Sequence, residues 1–129
     1  MRMRNILDIL GNKANYLDIT KQRLLCKKIL LALTKFEKGD KLNKPDNERL
    51  LKGVKLIDGL VDLCDKHSCR SALNKAPMGE AKIVLQDITK RIETIINGGN
   101  TEVVPLKDFF DSLEKYNSVF HVPKGVFSL

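Results

Sequence analysis

The most regular feature of the sequence is an apolar stripe in segment 79–97. Its members recur every three or four positions, the spacing that places side chains on one face of an α-helix. They are Ala81, Val84, Leu85, Ile88, Ile92, Ile95 and Ile96. A helix with one apolar face has to bury that face against another element. The segment therefore predicts a long helix that packs inside a larger assembly of helices.

Two further long segments carry stripes of the same kind. In segment 19–38 the stripe is Leu25, Ile29, Ala32, Leu33 and Phe36, and in segment 48–66 it is Leu50, Val54, Ile57, Leu60, Val61 and Cys64. Two shorter helices are indicated, one at Met3–Leu10 and one after Pro105 that carries Leu106, Phe109, Phe110, Leu113 and Phe120. The sequence therefore predicts an all-α, single-domain helical bundle of four to five helices, three of them long and amphipathic.

Glycine and proline residues mark where the predicted helices begin and end. Gly39 follows the first long stripe, and Gly98 or Gly99 follows the third, where a left-handed residue can close a helix. The polar stretch "DKLNKPDN", 40–47, is predicted to be a break, after which Asp46 or Asn47 opens the next helix. Segment 68–80 is predicted to be a connector, with Pro77 in the first turn of the third helix.

Length and composition fit a globular protein. The chain has 129 residues, of which 43% are hydrophobic and 30% charged, values typical of one folded domain. We expect that domain to span 1–129, with 1–17 and 121–129 loosely packed. No apolar run approaches the roughly 18 residues of a transmembrane helix. The three cysteines are an odd number, so an intracellular, reducing compartment (cytoplasm or nucleus) is expected.

The stretch "LCDKHSC", 63–69, raises the question of a metal or thiol site. Zinc takes four nitrogen or sulfur ligands, and Cys64, His67 and Cys69 provide three. A fourth would have to come from Cys26 or His121, both remote in sequence. Cys64 also falls on the apolar stripe, where a free cysteine behaves as a small hydrophobe. We therefore predict a buried Cys64 and neither a metal nor a cofactor.

The sequence contains no recognisable catalytic motif. The glycines of "NGGN", 97–100, lack the preceding strand and the following lysine of a phosphate-binding loop. Three aspartates, Asp58, Asp62 and Asp65, share the polar side of their predicted helix with Lys55 and Lys66. That arrangement is typical of a solvated helix face rather than of a metal site. A non-enzymatic protein is expected.

Positive charge is concentrated in the first third of the chain. The formal net charge is +7, and residues 1–38 hold nine basic residues against three acidic ones. At 100° per residue, Lys21, Lys28 and Lys35 form one row on the predicted helix and Arg23, Lys27 and Lys38 form a second. Leu24 and Leu31 lie between the rows, opposite much of the apolar stripe. Either the helix is buried on two sides with extended lysines, or these leucines are anchors of a contact surface with a basic rim.

Two functions from different classes follow from this pattern. The first is an accessory or regulatory protein that contacts nucleic acid or another polyanion through the six cations of 21–38. The second is a protein–protein interaction module, such as an adaptor, an inhibitor or an assembly factor, that binds an acidic protein or its own copy through Leu24 and Leu31. The aromatic content of 5%, without tryptophan, argues against a surface that stacks single-stranded bases. Charge alone slightly favours the first.

Overall fold

The computed structural model describes the backbone of residues 16–70 and 75–115 and the side chains of residues 20–62, 64–65 and 79–115. This part of the chain forms four helices and no strand. They are α1 (Tyr16–Glu37), α2 (Lys44–Arg70), α3 (Lys75–Ile96) and α4 (Val104–Lys115). The all-α class and the predicted number of helices are confirmed here. The predicted Met3–Leu10 helix, Phe120 and nearly all of 1–17 and 121–129 lie outside the described residues.

Helix α2 begins earlier than predicted because its cap is Asn43. The side-chain oxygen of Asn43 accepts a hydrogen bond from the Asp46 N–H at 2.9 Å, and the Asn43 N–H donates to Asp46 Oδ2 at 3.1 Å. This reciprocal pair is a capping box, which satisfies two N–H groups at the start of a helix. Pro45 lies in the first turn, where its missing N–H is harmless. The prediction that Asp46 or Asn47 opens the helix is therefore wrong.

The predicted connector between the second and third helices is mostly helical. Helix α2 continues to Arg70 and α3 begins at Lys75. Pro77 lies in the first turn of α3, as predicted. The helices are therefore longer than their apolar stripes, since the polar residues that flank a stripe also accept helical geometry.

Two glycines close helices in the left-handed conformation, as predicted. Gly39 follows α1 with φ of 82°, and Gly98 follows α3 with φ of 84°. At the first end, the N–H of Gly39 donates to the carbonyl of Phe36 and that of Asp40 to the carbonyl of Lys35, both at 3.0 Å. The same pair of bonds recurs at Gly98 and Gly99. Both ends are Schellman motifs.

The predicted stripes supply most of one hydrophobic core. Its buried members are Leu25, Cys26, Ile29, Ala32, Leu33, Leu50, Leu56, Ile57, Leu60, Cys64, Ala81, Leu85, Ile88, Ile92, Ile95, Val103, Leu106, Phe109, Phe110 and Leu113. Partly buried members of the stripes, among them Phe36, Val54 and Val84, pack against this cluster. All four described helices therefore share a single apolar interior.

Ion pairs join the end region of each long helix to the start region of the next. Lys35 near the end of α1 reaches Asp46 at the start of α2 at 2.6 Å. Lys82 near the start of α3 reaches Asp65 near the end of α2 at 3.0 Å. Among the helix pairs whose backbones approach each other, α2 with α3 and α1 with α4 pack most extensively and α3 with α4 least.

Helix α4 packs along α1 and meets α2 at a glycine. A Cβ atom at Gly53 of α2 would lie 3.1 Å from both Ile29 Cδ1 of α1 and Phe110 Cζ of α4. Such a contact is tighter than packed carbon atoms normally allow, so the absence of a side chain at Gly53 lets the three helices converge. With α2 and α4 against it, α1 keeps one face toward solvent.

Candidate interaction surface on helix α1

The apolar residues of α1 lie on two faces. Leu25, Ile29 and Leu33 are buried in the core, whereas Leu24 and Leu31 are 45% and 65% exposed. The helix therefore carries apolar residues on its buried side and also on its exposed side. The first alternative, a helix buried on two sides and covered by extended lysines, does not explain the positions of Leu24 and Leu31, since both side chains reach solvent. We call Lys21, Leu24, Lys28, Leu31 and Lys38 the outer face of α1.

The six predicted cations of this region fall into different environments. Lys21 and Lys38 are exposed and Lys28 is half-buried, and none of the three forms an ion pair within the described residues. Lys27 lies 3.7 Å from Glu114 of α4. Arg23 is half-buried. The structure thus does not bring the six cations together as one free row.

The remaining predicted cation, Lys35, is held by a buried carboxylate. Asp46 is only 2% exposed, and it accepts hydrogen bonds from Lys35 Nζ at 2.6 Å and from Arg49 Nη1 at 3.5 Å. Burial raises the pKa of Asp46, but the hydrogen bonds from Lys35 and from the Asn43 N–H, with the charges of Lys35 and Arg49, outweigh it and leave the pKa below its ordinary value. Asp46 is therefore ionised at neutral pH and fixes both cations.

A surface depression of about 500 Å³ lies where α1 ends and α2 begins. We call it the corner depression. It is lined by Leu31, Thr34, Lys35, Lys38, Asp40, Asn43, Pro45, Asp46 and Arg49. Three of these, Leu31, Lys35 and Lys38, belong to the predicted site. Arg49 was missed by the sequence analysis, and the signal that locates it is the capping box, because a helix that starts after Asn43 places Asp46 and Arg49 one turn apart.

The cysteines described by the structure are buried thiols. Cys26 and Cys64 are 0% and 1% exposed. Burial raises the pKa of Cys26 to about 12 and that of Cys64 to about 11, so both stay protonated at neutral pH and neither is an activated nucleophile. The side chains of His67 and Cys69 lie outside the described residues. Among the residues that are described, no group of three or more His, Cys, Asp or Glu side chains is arranged to hold a metal ion.

The three aspartates of α2 are exposed, as expected of a solvated face. Asp65 accepts a hydrogen bond from Lys82 at 3.0 Å. Partial burial, followed by the charges of Asp62 and Glu93, raises the pKa of Asp58. The three carboxylates thus lie on the solvent-facing side of α2, and one of them is paired with a cation of α3.

Comparison with known proteins adds no relative. The family models, the curated proteins and the solved structures that were searched give no match to this chain. Within the described residues, no helix combines the length and the apolar character needed to cross a bilayer. The function of this chain therefore has to be inferred from the geometry of α1 and of the corner depression.

Proposed function

We propose that this chain is a non-enzymatic protein-interaction module whose outer face of α1 binds an acidic, amphipathic segment of a partner protein. The observation that carries the proposal is the exposure of Leu24 and Leu31 among lysines that form no ion pair within the described residues. Neither leucine belongs to the buried core, because the core residues of α1 lie on the opposite side of the helix.

The two leucines suit a partner that brings apolar side chains. Fully burying a leucine contributes about 2 kcal/mol, and anchors of this kind tend to lie at the centre of an interface with a polar rim. The residues are seven positions apart on one helix, a rise of about 10 Å. A partner helix that places apolar side chains at the same interval can cover both.

The lysines around the leucines select the charge of the partner. Lys21 and Lys28 lie on α1 and Lys38 directly follows its last residue, so the three lysines present positive charge around the apolar anchors. Complementary charge accelerates encounter and suppresses wrong partners more than it adds affinity. Acidic residues that flank the partner's apolar positions would match this rim.

A polyanion is the competing occupant, favoured by the same row of lysines. Nucleic acid would use phosphate contacts alone and leave the leucines without apolar contacts. Lys27 and Lys35 also have carboxylates close by, which reduces the charge available to phosphates. For these reasons we place the protein partner first and make duplex DNA an arm of the experiment.

The test uses two fluorescein-labelled peptides of about 15 residues, each spanning about 22 Å as a helix. One carries Leu and Glu along one face, and the other replaces every Glu with Gln. We expect the Leu/Glu peptide to bind the wild-type chain and to lose binding to Leu24→Arg plus Leu31→Arg. The matched control is Ile83→Arg plus Val104→Arg, which changes two residues that are 69% and 62% exposed on other helices and should leave binding unchanged.

The polyanion arm measures duplex DNA binding against salt. A steep log–log slope, lowered in Lys21→Glu plus Lys28→Glu plus Lys38→Glu and unchanged in the leucine variant, would replace the proposal with nucleic-acid binding. Lys38 is chosen rather than Lys35 because Lys35→Glu would place a second carboxylate beside buried Asp46.

A further inference from the structure

The corner depression gathers three cations around one buried carboxylate. Asp46 Oδ2 accepts from Lys35 Nζ at 2.6 Å and from the Asn43 N–H at 3.1 Å, while Asp46 Oδ1 accepts from Arg49 Nη1 at 3.5 Å. Lys38 lines the same depression. Asp46 therefore fixes two of the three cations that line the depression.

Within the described residues, most hydrogen-bond donors of these cations have no protein partner. An ammonium has three N–H donors and a guanidinium has five, and Lys35 and Arg49 each use one on Asp46. Asp40, which is exposed, is the other carboxylate in the lining. Three cations and two carboxylates leave one excess positive charge, which suits a singly charged anion better than a doubly charged phosphate.

The lining of the depression also includes apolar side chains. Leu31, at 65% exposure, and Pro45 both line it. A volume of about 500 Å³ is within the range of sites that accept small ligands and exceeds what one carboxylate fills. The depression therefore fits an anionic group together with a neighbouring apolar side chain.

We propose that the corner depression is a pocket for an aspartate or glutamate of the partner segment and for the bulky apolar residue beside it. The partner carboxylate accepts hydrogen bonds from Lys38 and Arg49, and its apolar neighbour packs on Leu31 and Pro45. This assignment rests on the proposed function, because it identifies which residues of the acidic partner are bound at the end of the outer face.

The test is a double-mutant cycle with the two peptides and the full chain. Lys38→Glu should weaken binding of the Leu/Glu peptide by about tenfold or more, the usual scale for a charge-assisted hydrogen bond. The Gln peptide should bind the wild-type chain more weakly and be nearly insensitive to Lys38→Glu, giving a coupling between the peptide carboxylates and Lys38. Lys41→Glu is the matched control, since Lys41 is exposed nearby and does not line the depression.

Each other outcome overturns the pocket. Equal weakening by Lys38→Glu and Lys41→Glu would show long-range charge alone, and the proposed function would still stand if Leu24→Arg plus Leu31→Arg abolishes binding. A double-mutant cycle that shows no coupling between the peptide carboxylates and Lys38 would likewise overturn the pocket and leave the proposed function standing. Failure of the Leu/Glu peptide to bind the wild-type chain would overturn both the pocket and the proposed function.

A second variant guards against indirect effects on folding. Arg49→Gln removes the guanidinium while leaving Asp46 hydrogen-bonded to Lys35 and Asn43. It should weaken binding of the Leu/Glu peptide but leave binding of the Gln peptide unchanged. Thermal melting of each variant with no peptide present shows whether the fold is retained. A variant that melts like the wild type and binds both peptides like the wild type contradicts the assignment of Arg49.

Discussion

Helices α1 and α3 have the same length, 22 residues each, but distribute their apolar residues differently. The buried residues of α3 form one stripe, and Ile83 is its one exposed large apolar side chain among those described. Helix α1 buries a comparable stripe and in addition exposes two leucines set among lysines. A single exposed apolar residue is ordinary on a protein surface. The packing of the bundle therefore explains the positions of the apolar residues of α3, whereas it does not explain why α1 exposes two leucines on its outer face.

That difference separates residues that maintain the fold from residues available for binding. Substitutions on the inner stripe of either helix should cost stability. Substitutions on the outer face of α1 should leave stability almost unchanged and alter binding. The following variants test this separation, from the largest expected loss of stability to the smallest.

The largest effect is expected for Ile88→Asp in α3. Ile88 is 3% exposed, so the variant would bury a carboxylate without a partner, at a cost of about 4 kcal/mol or more. Circular dichroism and urea denaturation should show an unfolded or molten chain. Ile83→Asp, on the exposed side of the same helix, is the control and should melt close to the wild type. Similar behaviour of the two variants would mean that the stripe of α3 does not face the core.

A smaller loss, about 2 kcal/mol, is expected for Asp46→Ala. The variant removes half of the capping box of α2 and the ion pair to α1. Because Lys35 and Arg49 are partly exposed, solvent screening limits the electrostatic contribution to this loss of stability. Asp40→Ala, at an exposed carboxylate in the same loop, should change the free energy of unfolding by less than about 0.5 kcal/mol. Urea denaturation measures both, and equal losses would contradict the role of Asp46 in joining the helices.

The stabilisation by Asp46 should depend on pH in a defined direction. Its pKa in the folded chain lies below the ordinary value of 3.8, so the folded state holds the carboxylate ionised where the unfolded state begins to protonate. The contribution is complete above that value and is lost as the pH falls through the lower pKa of the folded state. The stability difference between wild type and Asp46→Asn should therefore shrink only on acidification, and a difference that shrinks as pH rises would contradict this linkage.

Equal and moderate losses are expected at the two helix ends closed by glycine. Alanine at Gly39 or at Gly98 would have to adopt φ near 82° or 84°, which should cost about 1 kcal/mol. The Cβ would meet nothing within 4 Å at either position, so backbone strain is isolated from steric clash. The two single variants, compared by thermal melting, should agree, since α1 and α3 end in the same motif. A loss at only one of them would show that the two ends differ in the strength of their caps.

The smallest effect on stability is expected for Leu24→Arg plus Leu31→Arg. Neither side chain belongs to the buried core, Leu24 being 45% and Leu31 65% exposed, so the free energy of unfolding should change by less than about 1 kcal/mol. The matched core variant, Leu25→Arg plus Leu33→Arg, changes buried residues of the same helix and should abolish folding. Collapse of the outer-face variant would show that these leucines support the fold and would remove the basis of the proposed function.

The sequence determined the parts of this protein that depend on neighbours within one or two turns. Apolar residues every three or four positions marked the long helices and the buried side of each, and Gly39 and Gly98 marked two ends. These signals are local, because helical geometry and glycine conformation depend on adjacent residues. The start of α2 was missed although its capping box is also local, since Asn43 and Asp46 stand on either side of a proline that indicated a break.

Only the tertiary structure decided which charged residues meet. Lys35 and Asp46 are 11 positions apart, and Lys27 meets Glu114 of a different helix. Helical periodicity places such side chains on a face but does not say which helix packs beside that face. The packing of α1 against α2 and α4 therefore selected which cations approach carboxylates, formed the corner depression with Arg49, and left Leu24 and Leu31 in solvent. The helices pack so that every apolar stripe is buried at once, and this packing placed the two predicted rows of cations in distinct environments.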